Sequence, residues 1–184
     1  MNYSVLINKD NEISDNLKFN LIRVSSKYKD NILIEENTYY NYKKLKEFLK
    51  KHDVDIQIQS GYRTHLYQKK LFDNLVNNKG LEYALKYVAK PYHSEHETGL
   101  AIDFCIYTKD KIIEEHDLLN YEKLSFIHDN LYKFGFILRY KKNKEDITKY
   151  NYEPWHIRYV GNDLAQTIYN EDIALEEYYN KERK

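Results

Sequence analysis

Any fold open to this chain must bring two distant segments together, His93 to Phe104 and Tyr152 to Tyr159. The first holds His96 and Asp103, seven positions apart with Gly99 between them. The second holds His156, with Glu153 three positions before it. Two imidazoles and a carboxylate are donor types from which a catalytic zinc site draws its three protein ligands, leaving a fourth position for water. Such an ion lowers the pKa of its water from roughly 9 in aqueous zinc to about 7. The spacing of His96 and Asp103 does not suit two ligands on one helical turn. It suits a loop residue and a strand residue that converge after a turn at Gly99. His156 opens the apolar run from Trp155 to Val160, so it can arrive from a neighbouring strand. Glu153 lies beside a ligand without being needed as one, the place for a general base.

Other residues near these segments have plainer readings. His93-Ser94-Glu95-His96 has neither the HExxH nor the HxxEH spacing of helical zinc motifs, so His93 is read as a loop residue at the mouth of the site. Cys105 shares a strand face with Asp103, and a small buried apolar group is the simpler account of it. His52, His65, His116 and His128 read as surface or helix-end residues. Trp155 reads as core and, next to His156, also as a substrate platform. Arg139 and Arg158 are expected to pair with carboxylates inside the fold.

The few glycines and prolines sit at boundaries, and neither a linker nor a repeat interrupts the chain. Residues 1–184 therefore read as a single domain, with 1–38 an N-terminal arm carrying short extended pieces at Val5 to Ile7, Leu21 to Val24 and Ile32 to Ile34. Tyr42, Leu45, Phe48 and Leu49 recur at helical spacing and predict a helix over 38–51. Val54 to Gln59 alternates with period two, a half-buried strand that delivers Ser60-Gly61-Tyr62-Arg63 at its end. Helices are expected from Tyr67 to Gly80 and from Leu81 to Ala89, before Pro91. A strand follows from Leu100 to Ile106. Leu124, Ile127, Leu131 and Phe134 predict one helix capped by Gly135, then a strand from Phe136 to Tyr140. Lys141 to Tyr150 reads as a charged hairpin-like segment. Two short helices around Leu164 to Tyr169 and Ala174 to Tyr179 close the domain. Helices flanking a small, mostly antiparallel sheet make this α+β.

At 184 residues the chain is long enough to bury a core unaided. Lys plus Arg equals Asp plus Glu at 29 each, which disfavours nucleic acid and membrane surfaces as partners. The single cysteine excludes an internal disulfide and fits a reducing compartment. The opening residues carry only the short apolar patch Val5-Leu6-Ile7, so neither a signal peptide nor a membrane span is expected, and a cytoplasmic location is.

Four blocks in order carry a family resemblance. They are Ser60-Gly61-Tyr62-Arg63-Thr64 with Gln68, Ser94-Glu95-His96 through Asp103, Gly135 to Tyr140, and Glu153-Pro154-Trp155-His156 through Gly161. Together they resemble the VanY family of D-alanyl-D-alanine carboxypeptidases, with the VanXY D,D-dipeptidase/carboxypeptidases the nearest match in length and block order. The resemblance implies the LAS/hedgehog-like zinc peptidase core, with one zinc per chain held by His96, Asp103 and His156. It implies Glu153 as catalytic base and Arg63 as the group that polarises the scissile carbonyl; a structural arginine tied into the sheet is the other reading of Arg63. Ser94 and Gln68 would lie near the substrate's terminal carboxylate, with Trp155 also against the substrate. The implied partner is a peptidoglycan precursor or stem peptide ending in D-alanine, in antibiotic resistance or ordinary wall turnover. L,D-carboxypeptidase, lysin-type endopeptidase and non-catalytic cell-wall peptide-binding readings remain open. The chain departs from the family pattern where Pro-Gly is usual, reading Pro91-Tyr92-His93, and where Arg-Tyr-Pro and Thr-Gly are usual, reading Arg139-Tyr140-Lys141 and Thr148-Lys149.

Overall fold

A computed structural model describes residues 3–14 and 16–182. Strands β1 (Leu21–Val24) and β2 (Ile32–Glu35) form an antiparallel hairpin ahead of helix α1 (Glu36–Lys50). Helix α1 starts two residues before the helical spacing indicates, because the buried Glu35 carboxylate accepts a hydrogen bond from the Thr38 backbone at 2.8 Å and so caps it. Strand β3 (Asp55–Ser60) follows, then α2 (His65–Lys79), whose first turn is capped by Thr64, and α3 (Leu81–Tyr87). The long strand β4 (Ala101–Tyr107) turns back through β5 (Ile112–Ile113). Helix α4 (Leu124–His128), β6 (Phe136–Leu138), α5 (Glu145–Thr148), β7 (His156–Tyr159), α6 (Asn162–Asn170) and α7 (Leu175–Glu182) complete the order.

The main sheet runs β3-β4-β7-β6, with β5 beside β4, and these pairings are antiparallel. Its buried face packs Ile56, Ile58, Ile102, Phe104 and Ile157 against Tyr42, Leu45 and Leu49 of α1. The Tyr42 hydroxyl donates to the Ile56 carbonyl at 3.1 Å, which satisfies the polar end of a buried aromatic. A smaller cluster of Ile137, Val160, Ala165, Ile168, Ile173 and Leu175 seats α6 and α7.

Three expected elements differ. The helix expected from Leu124 to Phe134 breaks after His128, where the Asn130 side chain donates to the Phe126 carbonyl at 2.7 Å and competes with the backbone ladder. It resumes as a 3₁₀ turn, Leu131–Phe134, that Gly135 ends in the left-handed conformation. Lys141 to Tyr150 is not a hairpin but carries α5, and Val5 to Ile7 form no strand. Among the described residues no helix is long and apolar enough to cross a membrane.

Candidate active site

His96 sits in the 3₁₀ turn Glu95–Thr98, which Gly99 ends at φ 76°. A Cβ at Gly99 would meet Leu21 Cδ2 at 2.5 Å, so the turn needs glycine for space as well as for conformation. Asp103 and His156 are register partners on β4 and β7. The β3-β4 ladder shifts register between Ile58 and Ser60, which sets Ser60 opposite Asp103. Such bulges commonly re-aim side chains at functional sites.

One donor atom from each of His96, Asp103 and His156 lies within 4.8 Å of the others, and all three residues are buried. His96 Nε2 is 3.1 Å from Asp103 Oδ2, and His156 Nδ1 is 3.1 Å from Asp103 Oδ1. Donors held about 2.0–2.2 Å from one ion at tetrahedral angles lie roughly 3.3–3.5 Å apart, so the cluster fits a zinc-sized cation. The tautomer of His96 is set from outside: its Nδ1–H donates to the Gly61 carbonyl at 2.7 Å, turning the Nε2 lone pair inward. Burial, then Arg63, lowers the His96 pKa, which keeps the ring neutral as a ligand must be. Burial pushes Asp103 up, but His96, His156 and Arg63 outweigh it and hold the carboxyl well below its usual range.

Glu153 Oε2 stands 3.6 Å from His156 Nδ1. Burial lifts its pKa to about 8, with His156 opposing, a shift expected of a carboxylate poised to take and return a proton. Arg63 Nη2 donates to Asp103 Oδ2 at 2.6 Å, and its Nε and Nη2 donate to Ser60 Oγ at 3.1 and 3.0 Å. Arg63 thus lines the cleft and is also tied to the sheet.

The cleft has a volume of about 390 Å³, and Arg63, Gln68, Ser94, Glu153 and Trp155 line it with the three donors. A second cavity of about 530 Å³ shares Arg63, Asp103, Glu115 and Trp155 with it. Gln68 Nε2 donates to the Ala89 carbonyl at 2.8 Å, which leaves a buried Oε1 without a partner. A free carbonyl oxygen suits a substrate N–H better than the carboxylate expected there. Trp155 packs against the core as well as lining the cleft.

Other residues depart from expectation. His93 does not line the cleft; its Nδ1–H donates to the Asn8 carbonyl at 2.8 Å and ties the loop to the chain's beginning. His116 does line it, edge-on to Trp155 with ring centroids 5.0 Å apart. Cys105 is buried, its Sγ 3.7 Å from the Gln57 carbonyl and its pKa pushed up to about 12 by burial, so it is an inert apolar group. Tyr140 and Tyr150 line the cleft without having been singled out, and the Tyr150 hydroxyl is buried with no partner. Glu95 escaped notice as well: both Arg139 and Arg158 donate to its Oε1, at 2.7 and 2.6 Å.

The family model described as VanY, D-alanyl-D-alanine carboxypeptidase, matches residues 31–162. The chain belongs to the VanY family. It is 38% identical over 133 residues to VanXYC of Enterococcus gallinarum, a bifunctional D-Ala-D-Ala dipeptidase and carboxypeptidase, covering 70% of this chain and 68% of that one. The solved LdcB LD-carboxypeptidase superposes with a TM-score of 0.85 at 38% identity, covering 96% of this chain and 85% of LdcB. A vancomycin-resistance VanY D,D-pentapeptidase in complex with Zn(II) superposes with a TM-score of 0.84 at 30% identity, covering 96% and 98%. The match spans about half the length of other curated relatives, 49% and 48%. Two of the departures from the VanY pattern stand where glycine is usual, and both residues adopt the left-handed conformation: Tyr92 at φ 68° and Lys149 at φ 65°. The fold thus keeps the backbone shape and accepts the cost of a side chain there, about 1–2 kcal/mol each. Tyr92 is held by its N–H to the Glu97 carboxylate and by stacking on His65, with centroids 4.1 Å apart.

Proposed function

We propose that this chain is a zinc-dependent D,D-carboxypeptidase that removes the terminal D-alanine from peptidoglycan precursor peptides. The observation that carries this reading is the convergence of three buried donor atoms, a carboxyl raised to about 8 and an arginine on one cleft. His96 Nε2, an Asp103 carboxylate oxygen and His156 Nδ1 would hold the zinc. When bound, zinc supplies Lewis-acid polarisation of the scissile carbonyl and of the attacking water.

The chain's own groups do the rest. Glu153 takes the proton of the attacking water on its carboxylate and returns it to the leaving amine. Arg63 faces the carbonyl and stabilises the negative charge that grows on its oxygen, a contribution worth on the order of 10²–10³ in rate. Ser94, Gln68 and Trp155 bind and orient the terminal residue, with the Tyr150 hydroxyl supplying a further donor. Residues 1–184 act as one domain in this reading, with 1–38 an N-terminal arm packed on it.

An L,D-carboxypeptidase is the second reading, favoured by 38% identity to LdcB against 30% to the VanY pentapeptidase. The test is release of D-alanine, by mass spectrometry, from a pentapeptide ending in D-Ala-D-Ala, from the free dipeptide and from a tetrapeptide ending in one D-Ala. Cleavage of the pentapeptide is expected, and cleavage of the tetrapeptide alone would move the chain to the L,D class. Glu153→Ala should keep its zinc and lose at least about 10²-fold in turnover. Wild-type turnover in that variant would overturn the role of Glu153.

A further inference from the structure

We propose that Glu95 is a positioning residue for His156, held in place from both ends of the chain through a buried pair of arginines. The proposal rests on the metal reading above. His156 Nδ1 faces Asp103 and Glu153, and on the other side of the ring Glu95 Oε2 lies 3.5 Å from Nε2. Both atoms are buried, and among the described residues neither has a partner inside standard hydrogen-bond geometry. A hydrogen bond from Nε2–H to Oε2 would satisfy both at once. It would fix the tautomer that frees Nδ1 for the ion, orient the ring, and raise its strength as a ligand.

The arrangement around Glu95 argues against a purely structural role. Arg139 Nε and Arg158 Nη1 both crowd onto Oε1 and leave Oε2 free for the imidazole. The arginines are pinned in turn. Arg139 makes a two-pronged contact with Glu176 of α7, at 2.8 and 2.7 Å, and Glu176 accepts a further bond from Asn8 at 3.1 Å. Arg158 Nη2 donates to the carbonyls of Tyr3 at 3.0 Å and Val5 at 2.8 Å. Tyr3, Val5, Asn8 and Glu176 all lie outside the span 31–162 that the family model matches. Residues outside that span therefore brace a ligand within it.

The test measures zinc affinity by competition with a chromophoric chelator, alongside the visible absorption of the cobalt-loaded protein. Glu95→Gln keeps the shape and removes the charge; Glu95→Asp keeps the charge balance with the arginines and withdraws the carboxylate from His156. Each should weaken zinc binding by about 10- to 100-fold and shift the cobalt bands, with the far-ultraviolet dichroism of the metal-free protein unchanged. Glu176→Gln, remote from the cleft, should weaken zinc by a smaller factor, roughly three- to tenfold. If Glu95→Gln does not fold, Glu95→Asp decides by the same criterion. Affinity within twofold of wild type in a folded Glu95 variant overturns the proposal. Failure of the wild-type protein to take up one zinc per chain would overturn the metal reading instead, so the two failures are distinguishable.

Discussion

His156 has two sides, and a buried glutamate stands on each. On the cleft side, burial lifts Glu153 to about 8, and nearby polar atoms such as Gln68 Oε1 and the Tyr150 hydroxyl lack partners. On the inner side, burial acts on Glu95 as well, but Arg139, Arg158 and His156 outweigh it and drive its pKa far below the usual carboxylate range. The two residues share type and depth and differ in the charges that face them. A carboxyl raised by burial is available to a substrate and its proton; one held ionised by two arginines holds a position. In the proposed reading the outer half does the work of the site and the inner half places its ligand.

The largest expected effect comes from breaking the inner half. Arg158→Met should destabilise the fold by about 3–5 kcal/mol, because it leaves Glu95 with one arginine and removes the anchor on the Tyr3 and Val5 carbonyls. Denaturant melts would measure it, and a change under about 1 kcal/mol would show that the inner charges are not coupled as described.

The outer half should show itself through pH. In the metal-free protein Glu153 titrates at about 8 against a free value of 4.5, and His156 at about 9 against 6.5. Both groups bind protons more tightly folded than unfolded. They therefore favour the fold at low pH, and that contribution is lost as pH rises through their folded values. The metal-free melting temperature should fall by several degrees between about pH 7 and about pH 9. Glu153→Gln should make the slope shallower, and zinc, which holds His156 neutral as a ligand, should flatten it further. A melting temperature that rises over this window would contradict the assignment.

The smallest effect probes strain beside the cleft. Lys149 ends α5 at φ 65°, one residue before Tyr150. Lys149→Gly should relieve about 1 kcal/mol and raise the melting temperature by about 2–4 °C, with turnover unchanged. A fall would mean that the lysine side chain, which donates to the Asp146 carbonyl at 2.5 Å, outweighs its backbone cost.

Much of the outer half can be read from residue types in order. His96, Asp103, His156 and Glu153 are legible because few side chains can bind a cation or move a proton, and because Gly99 and Pro154 mark where the chain must turn. Strand β3 and helix α1 show in their periodicity, whereas β4 and β7 are buried on both faces and show as apolar runs. The inner half is not legible this way. Glu95 sits among polar neighbours in a short turn and reads as solvated; its partners are 44 and 63 positions away, and local pattern says nothing of them. The same holds for Tyr150 and His116, whose places in the cleft depend on how α5 and the turn Glu115–Asn120 pack. By itself the sequence determined the candidate donor set, the candidate base and the α+β class, because these depend on chemistry and local spacing. Tertiary structure alone decided which glutamate stays ionised and which is raised, because a buried charge takes its pKa from whichever distant groups the fold brings within a few ångströms.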